Sequence, residues 1–542
     1  MIGTSKKEYW FIRVCIVGLH HIAPLCIAYC VLLVCIYGFK ATTYRFPLLV
    51  ETGAILEALF YFAVYVPHNR YIQRETAHPP APAREERKQL FALCNDNITN
   101  CEGYLRKWFL GAEIEEIKRE NVKEFLLWAF FNRGGLPGDD DDELEEYVSA
   151  TEKLLGRPIQ EGRGSAKPLR LTLDGVDMLH RSLIWYFCVG FVDLLTFIKL
   201  RYHGFHFHRT SFSRFFSIWP LRPYSYLTSQ HSPAKHTTYW HRAHTSKTKL
   251  PVVFLHGIGI GLYPYTNFLS ELNSSQGLET SNPNDQVGII AIEIMPVSFR
   301  ITHAALSREA LCAEITSIVR KHFGDQKFVL SSHSYGTVIS THLLAYPPLA
   351  EQIGPVVLID PVSIMLHLPD VAYNFTRRQP VHANEFQLYY FASMDSGVAH
   401  TLARHFFWNE NILWKKDLIF HKTTVSLGGQ DLIVNTEAVG QYLSEPISGF
   451  ESRYAASASS SRTLIDIDKS TEIDSGLRNR GNDTPAESDD EQGEEEWKNR
   501  PWRGDGIDVL WFSGLDHAQV FDKPATRRRL INCIRAYCED TD

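Results

Sequence analysis

The pattern of apolar and polar residues changes sharply near the middle of the chain. From Leu250 onward, short apolar runs rich in β-branched residues alternate with segments of helix length. Near-continuous apolar runs separated by helices are typical of a mostly parallel sheet that is covered on both faces. This half of the sequence therefore predicts an α/β fold, with strands in LPVVFLHGIGIG, VGIIAIEIMP, KFVLSSHSYG, GPVVLIDPVS, TTVSLGGQDLIV and GIDVLWFSG.

The first 71 residues contain the longest apolar stretches. Val14–Phe39 carries no formal charge and is long enough to cross a bilayer as a helix, which needs about 20 residues. A second stretch, Phe46–Val66, contains Glu51 and Glu57, so it could span only against a partner helix; a buried or interfacial helix is the alternative. We predict that these residues form an integral membrane anchor of one or two transmembrane helices.

The pattern from residue 72 to residue 249 is mainly helical and polar, which predicts a helical N-terminal region. Its exception is the apolar stretch Leu183–Leu200, which contains Asp193 and is short for a membrane span. We interpret this stretch as a buried or membrane-lying helix. The whole N-terminal half is thus expected to be helical and membrane-associated.

Residues 452–502 differ from the rest of the second half in composition. They are rich in Ser, Asp, Glu and Gly and poor in large apolar residues. Such a segment cannot bury enough apolar surface to offset the entropy lost on ordering. We predict a disordered insertion within one domain that comprises residues 250–451 and 503–542.

Charge and histidine content exclude some classes of function. The net charge of −7 gives no basic face of the kind that nucleic-acid binding requires, so we expect no nucleic-acid partner. His203, His206 and His208 in HGFHFHR have no accompanying carboxylate or cysteine, and packing or surface roles are more common for such histidines than metal binding. We predict no metal site and no cofactor.

The stretch FVLSSHSYGTVIS presents three serines at the end of a predicted strand. A nucleophilic serine on a sharp strand-to-helix turn needs small residues two positions before and after it, because strand and helix approach closely there. Ser334 has Ser332 before it and Gly336 after it. We predict that Ser334, rather than Ser331 or Ser332, is a nucleophile.

This turn, together with His256-Gly257-Ile258-Gly259 after an earlier strand, resembles the α/β-hydrolase superfamily. The sequence departs from the family pattern G-x-S-x-G at Ser332, which replaces the first glycine. The resemblance implies that the backbone N–H groups of Ile258 and Tyr335 form the oxyanion hole. It also gives His256, Gly257, Gly259 and Gly336 supporting roles in the two loops.

The resemblance extends to an acid and a histidine later in the chain. Asp431 in GGQDLIV and His517 in GLDHAQV each follow a strand, and the order Ser…Asp…His is the one this fold requires. Asp360 in LIDPVS also follows a strand and is the alternative acid. We predict the triad Ser334, Asp431 and His517.

The resemblance covers about half of the chain and is greatest to membrane-associated fungal-type hydrolases. It implies an α/β-hydrolase fold with a cap insertion, placed at about residues 363–418, whose aromatic residues suit an acyl-chain pocket. The resulting hypothesis is a membrane-anchored serine esterase or lipase acting on a lipid or other apolar ester through an acyl-enzyme. Acyl transfer to an alcohol and a catalytically idle membrane scaffold are the alternatives, and substrate, organelle and oligomeric state are left open.

Overall fold

The computed structural model of the chain describes residues 2–38, 48–273, 285–445 and 496–540. The strands of these residues form one eight-stranded sheet. In chain order they are β1 His206–His208, β2 Tyr239–Arg242, β3 Val252–Leu255, β4 Ile289–Ile292, β5 Phe328–His333, β6 Ile353–Ile359, β7 Thr423–Gly428 and β8 Ile507–Phe512.

The sheet is mostly parallel, with the strand order β1-β2-β4-β3-β5-β6-β7-β8. Only β2 runs in the opposite direction, since it pairs antiparallel with both β1 and β4. The pairs from β4–β3 to β7–β8 are all parallel. Every residue of β3, β4, β5 and β7 is buried, as a parallel sheet covered on both faces requires. The predicted α/β fold is confirmed.

Two layers of apolar side chains cover the two faces of the sheet. Val253 and Leu255 belong to the core on one face, whereas Val252 and Phe254 belong to the core on the other. This alternation follows from the two-residue period of a strand. The first core is the larger of the two and also holds residues of the N-terminal helical region, including Trp128.

The helices lie before the sheet and between its strands. In chain order, the α-helices of the described residues are α1 Lys6–Tyr37, α2 Leu48–Phe60, α3 Val66–Ile72, α4 Arg84–Asp96, α5 Cys101–Trp108, α6 Arg119–Phe131, α7 Asp141–Leu155, α8 Leu183–Tyr202, α9 Thr266–Glu271, α10 Arg308–Phe323, α11 Gly336–Leu344, α12 Pro347–Ala350, α13 Pro369–Thr376, α14 Ala383–Gln387, α15 Ser396–Arg404, α16 Trp408–Asn411, α17 Lys415–Leu418, α18 Thr436–Ser444 and α19 Pro524–Glu539. The interval predicted as the cap, residues 363–418, holds α13 to α17.

The sheet begins earlier in the chain than we predicted. β1 and β2 lie before Leu250, within the region predicted to be helical, so residue 250 is the wrong start for the sheet domain. These strands have three and four residues and lack the long apolar runs that mark the later strands. The shared core also shows that the helical region packs directly against the sheet.

Within the part of the chain that the structure describes, three helices are long and apolar enough to cross a membrane by length and composition. They are Lys6–Tyr37, the continuous helix Val50–Ile72, and Leu183–Tyr202. At about 1.5 Å per residue, the 32 residues of α1 extend about 48 Å, which exceeds the hydrocarbon thickness of a bilayer. The first turns of α1 can therefore lie outside the hydrocarbon even if the rest of the helix spans it.

Helix α8 contacts the rest of the protein through a buried aspartate and through its first turn. Asp193 is buried and forms ion pairs with Arg300 and, at 3.7 Å, with Arg222. At the start of the helix the Glu57 carboxylate accepts a hydrogen bond from the Leu183 N–H at 2.8 Å, where negative charge complements the helix dipole. Helix α8 therefore packs partly against protein, and its opposite face exposes Phe187 and neighbouring apolar side chains.

The end of the segment predicted to be disordered has a defined structure. Residues 452–495 lie outside the described residues, but residues 496–502 are described. Trp497 is 5% exposed, and its ring packs edge-on against Trp511 of β8 with the centroids 5.2 Å apart. The predicted boundary at residue 502 is therefore wrong, because a buried tryptophan anchors the chain five residues earlier.

Candidate active site

The three serines at the end of β5 have different environments. Ser331 and Ser332 are inside the strand and fully buried, and the Ser332 hydroxyl lies 2.8 Å from that of Ser340 on α11. Ser334 lies between the end of β5 and the start of α11, with a backbone φ of 50°. A positive φ is strained for serine and is the conformation that presents a side chain at a strand-to-helix turn. Of the three, Ser334 alone occupies this turn.

The glycines around this turn are required by close contacts. A Cβ atom at Gly336 would lie 2.4 Å from the carbonyl oxygen of Leu255 at the end of β3. A Cβ atom at Gly257 would lie 2.7 Å from the Ser334 Cβ. Because real Cβ atoms do not approach other atoms this closely, the two loops can meet only with glycine at both positions.

Ser334, His517 and Asp431 form a continuous chain of hydrogen bonds. The His517 Nε2 lies 2.9 Å from the Ser334 Oγ, and its Nδ1 lies 2.7 Å from the Asp431 Oδ2. The other carboxylate oxygen of Asp431 accepts the N–H groups of Ile433 and Val434 at 2.8 and 2.9 Å. The structure thus brings together the three residues proposed from the sequence as the triad.

The charge of Asp431 changes the acidity of His517. Burial alone would lower the pKa of His517, but the adjacent Asp431 carboxylate outweighs it and raises the pKa to about 9, with smaller contributions from Asp360 and Asp516. The imidazolium form is therefore stabilised in this site. This is the electrostatic environment that a histidine needs in order to hold a proton taken from a serine.

Asp360, the alternative acid, makes a different contact. Its Oδ2 accepts the backbone N–H of Ala518, the residue after His517, at 2.8 Å, and lies 3.6 Å from the His333 Nε2. Burial would raise the pKa of Asp360, but the neighbouring imidazoles of His333 and His517 lower it. Asp360 therefore supports the loop that carries His517, whereas Asp431 contacts the imidazole itself.

The loop after β3 meets the turn at Gly257, and the next residue, Ile258, lines the same pocket as Ser334 and has a backbone N–H. Among the described residues, neither this N–H nor that of Tyr335 donates a hydrogen bond to the protein. His256 is fully buried; its Nδ1 lies 2.7 Å from the Gly257 carbonyl oxygen, and its Nε2 accepts the Ile294 N–H at 2.9 Å. The Gly259 N–H donates to the Val297 carbonyl at 3.1 Å, which fixes the far side of the loop.

Two polar residues near the triad, Asp516 and Asn384, were not predicted from the sequence. The Asp516 carboxylate accepts the N–H groups of His517 at 2.7 Å and Leu432 at 3.0 Å, and it accepts the side-chain amide of Asn384 at 2.7 Å. It therefore connects the histidine loop, the Asp431 loop and the interval predicted as the cap. Its place directly before His517 was the one available signal, and spacing alone gives an adjacent acid no role.

Asp360, Asp431 and His517 also offer ligand atoms that lie within 4.8 Å of one another. In this site those atoms already have partners, since both His517 ring nitrogens are hydrogen-bonded to Ser334 and Asp431. The arrangement is therefore complete as a proton-transfer chain without a metal ion.

An apolar pocket opens at Ser334. It is lined by three residues of the N-terminal helical region, by Ile258 of the loop after β3, by the turn at Ser334, and by residues in and beside the interval predicted as the cap. The lining residues are Trp108, Trp128, Leu171, Ile258, Ser334, Tyr335, Val362, Leu366, Val371, Ala372, Phe375, Thr376, Leu402, Phe406, Trp408 and Ile433. A larger, more polar cavity of about 610 Å³ reaches Tyr335 but not Ser334.

Comparison with known proteins finds only solved structures that match this chain at low identity and low TM-score. No model of a known protein family and no curated protein sequence matches the chain. Among solved structures, a bacterial membrane phospholipase A is 10% identical, with a TM-score of 0.33 over 66% of this chain and 94% of that one. A carboxylesterase of Bacillus subtilis is 10% identical (TM-score 0.32, 64% and 99% covered), and a lipase from Acinetobacter baumannii is 11% identical (TM-score 0.33, 63% and 93% covered). Values this low leave the reaction to be inferred from the site, and the narrower fungal-type likeness stays a prediction.

Proposed function

We propose that this chain, a member of the α/β-hydrolase superfamily, is a membrane-anchored serine hydrolase that cleaves an ester of a lipid or other apolar acyl compound. The observation that carries the proposal is the chain of hydrogen bonds from Ser334 through His517 to Asp431. Its members lie on a strained turn and on two loops at the carboxyl ends of parallel strands, where functional groups gather in such sheets.

Each member of the chain has a distinct role in acyl transfer. His517 Nε2 removes the Ser334 proton while the Oγ attacks the ester carbonyl, and it returns that proton to the departing alcohol oxygen. Asp431 fixes the tautomer through Nδ1 and stabilises the imidazolium. A water molecule activated by the same nitrogen then attacks the acyl-enzyme and releases the carboxylic acid.

We assign stabilisation of the oxyanion in the tetrahedral intermediate to hydrogen bonds from the N–H groups of Tyr335 and Ile258. The Gly257 carbonyl and the Ile258 N–H belong to one peptide unit, and in a trans peptide they point in opposite directions. His256 holds the carbonyl by a 2.7 Å hydrogen bond from Nδ1, so it also fixes the direction of the N–H. Burial lowers the pKa of His256 to about 4, which keeps the ring neutral. His256 is therefore a positioning residue.

Replacing His256 with alanine should lower kcat and leave KM comparatively unchanged. The loss should approach the 10²–10³-fold cost, roughly, of removing one oxyanion donor, because the donor matters most in the transition state. Steady-state kinetics on a soluble short-chain ester measures both constants. His421→Ala is the matched control, since its ring also bonds a backbone carbonyl, that of Gly354 at 3.0 Å, at the opposite edge of the sheet. Equal losses in the two variants would contradict the positioning role.

The pocket at Ser334 supports an apolar acyl group as the substrate. Its walls are almost entirely apolar and aromatic, and the tryptophans Trp108, Trp128 and Trp408 line it. Burial of each CH₂ group of an acyl chain in such a pocket contributes about 0.8 kcal/mol. A preference for longer acyl chains follows, up to the length of the pocket.

Contacts of α1 support access from a membrane. Near its start, the Arg13 guanidinium lies over the Phe386 ring of α14 at 4.5 Å, and the Ile2 N–H donates to the Gln387 side chain at 2.9 Å. Most of the remaining α1 surface is apolar and exposed. If α1 crosses the bilayer, α14 and the neighbouring part of the interval predicted as the cap, which supplies pocket residues, lie close to the lipid surface. An apolar ester would then reach the pocket without crossing much water.

Carbonate extraction should leave the full-length chain in the membrane pellet, because an inserted helix is not released by high pH. A chain that begins at Ile72 should be released only in part, since Phe187 is 75% exposed on α8 and offers a second apolar contact. The truncated chain should still hydrolyse a soluble short-chain ester, because the triad lies in the sheet domain. Recovery of the full-length chain in the carbonate supernatant would refute the integral anchor.

Labelling with a fluorophosphonate probe tests the proposed reaction most directly. The full-length chain in detergent should react covalently, and it should hydrolyse p-nitrophenyl esters with kcat/KM rising as the acyl chain lengthens. A chain that neither reacts with the probe nor hydrolyses any ester would favour the idle scaffold. Acyl transfer is separated from hydrolysis by adding an alcohol acceptor and measuring whether ester or free acid is formed.

A further inference from the structure

A group of three histidines lies outside the active site, where β1, β2 and α10 meet. His208 belongs to β1, His241 to β2, and His322 to the last turn of α10. One ligand nitrogen from each ring lies within 4.8 Å of the other two. The three residues come from positions up to 114 apart in sequence (322 − 208), so folding alone brings them together.

Strand register places the first two rings on one face of the sheet. His208 pairs with Tyr239 and His206 with His241 across the β1–β2 ladder, so Tyr239 and His241 share a face with both. Helix α10 covers this face, and its His322 ring stacks on His241 with centroids 3.7 Å apart and 27° between the planes. The His322 centroid is 5.0 Å from that of His208. Regular elements therefore position all three rings.

Two of the rings point at a single hydroxyl group. The Tyr239 OH lies 3.0 Å from the His208 Nδ1 and 2.8 Å from the His322 Nε2. A hydroxyl has one proton to donate, so it can satisfy only one of these nitrogens as an acceptor. The convergence of two imidazole nitrogens on one point, with a third imidazole stacked beside them, is an arrangement of donors that a metal ion can use.

The His208 ring also forms a hydrogen bond to the backbone of His231. A ring nitrogen held by a backbone carbonyl is also the usual support for a ligating histidine.

We propose that His208, His241 and His322 bind a divalent transition-metal ion, with zinc as the ion that a set of three imidazoles and one water molecule takes. Ligand bonds of about 2.0–2.1 Å require the rings to turn so that their lone pairs converge, which opens the stack between His241 and His322. The ion ties β1, at the edge of the sheet, to α10. This site is separate from Ser334, His517 and Asp431.

His206 provides a matched control on the same face. It pairs directly with His241 across the ladder, but its Nδ1 lies 2.7 Å from a guanidinium nitrogen of Arg201, and it is exposed. Substitution of His206 therefore removes a neighbouring imidazole without removing one of the three ligands.

The experiment uses the full-length chain in detergent, carrying an affinity tag other than polyhistidine and treated with a chelator. We expect one equivalent of Zn²⁺ to bind in competition with a chromophoric chelator, and Co²⁺ to give visible d–d absorption. His241→Ala and His322→Gln should each weaken binding by more than the 10–100-fold, roughly, that loss of an outer-shell partner costs. His206→Ala should bind as the wild type does. Ester turnover in every variant checks that it is folded.

Two results would overturn the proposal. One is a wild-type chain that binds no Zn²⁺ and gives no d–d absorption with Co²⁺, a result that does not depend on the folding of any variant. The other is equal loss of binding in His206→Ala and His322→Gln, which would place the ion elsewhere. Neither outcome bears on the triad, because the site shares no residue with it.

Discussion

Replacing Ser334 with alanine should abolish both fluorophosphonate labelling and ester hydrolysis while the protein stays folded. Loss of the nucleophile in comparable triads lowers kcat by about 10⁶-fold. The Ser334 Oγ bonds to His517, and alanine keeps the Cβ that packs beside Gly257, so little else in the structure changes. Gel-based labelling and steady-state hydrolysis measure the effect, and thermal unfolding shows whether the fold is kept.

Ser332→Ala is the control for this result because it removes a hydroxyl from the same strand. The substitution deletes the hydrogen bond between Ser332 and Ser340, which contributes about 1 kcal/mol, and leaves the triad intact. We therefore expect a small loss of stability and nearly full labelling. Persistent labelling of Ser334→Ala, or its loss in Ser332→Ala, would show that the nucleophile is not Ser334.

The contact between Ser332 and Ser340 also explains a departure from the family pattern. The position two residues before the nucleophile normally holds glycine because strand and helix approach closely. Here both facing residues are serines, and their hydroxyl groups bond at 2.8 Å. The strand and the helix therefore meet here through a hydrogen bond between two small side chains, where the family pattern has a glycine. The sequence shows that serine replaces glycine at position 332, but only the structure shows that Ser340 of α11 faces it.

Strands β3 to β8 were predictable from sequence, whereas β1 and β2, which form the antiparallel pairs, were not. The runs after Leu250 are buried on both faces, so nearly every position is apolar and the pattern is strong. β1 has three residues, two of them histidines, and β2 is Tyr-Trp-His-Arg. Such short, partly polar strands at the edge of a sheet leave no periodic signal, so they were assigned to the helical region.

The walls of the apolar pocket were only partly predictable. The aromatic residues between β6 and β7 indicated a cap, and several of them line the pocket. Trp108, Trp128 and Leu171 come from the helical region, more than 150 residues before Ser334 (334 − 171 = 163). Contacts of this kind depend on how helices pack on the sheet, which the pattern of one sequence does not contain. The site is therefore built from both halves of the chain.

The sequence favours Asp431 over Asp360 by its match to the family motif, and the structure shows a different contact for each acid. Each follows a strand and lies at the same edge of the sheet, so position alone left both open. Asp360 has a backbone φ of 44° and bonds the Ala518 N–H, whereas Asp431 bonds the His517 Nδ1. The two acids thus hold the same loop, one through its backbone and the other through its imidazole.

Replacing Asp431 with asparagine should lower kcat by about 10⁴-fold, because the amide imposes the wrong tautomer on the catalytic histidine. The fold should be kept, since the amide oxygen can still accept the N–H groups of Ile433 and Val434 that now bond the Oδ1. Steady-state hydrolysis of a short-chain ester measures the loss. Asp360→Asn is the matched control, and we expect it to cost much less, because its bond is to the backbone of Ala518. A larger loss in Asp360→Asn would make Asp360 the acid.

The pH dependence of kcat/KM in the wild type and in Asp431→Asn separates the effect of losing the carboxylate charge from the effect of a changed geometry. His517 must be neutral to accept the Ser334 proton, so kcat/KM of the wild type should rise with pH as the imidazolium, with a pKa of about 9 in the free protein, loses its proton. Asp431→Asn removes the negative charge that contributes most to this elevation, so the rise should move to lower pH while the plateau falls. A profile whose midpoint does not move in Asp431→Asn would mean that Asp431 does not set the acidity of the catalytic base. The combined result, a lower plateau with an earlier rise, is expected only if Asp431 contacts the imidazole that carries the proton.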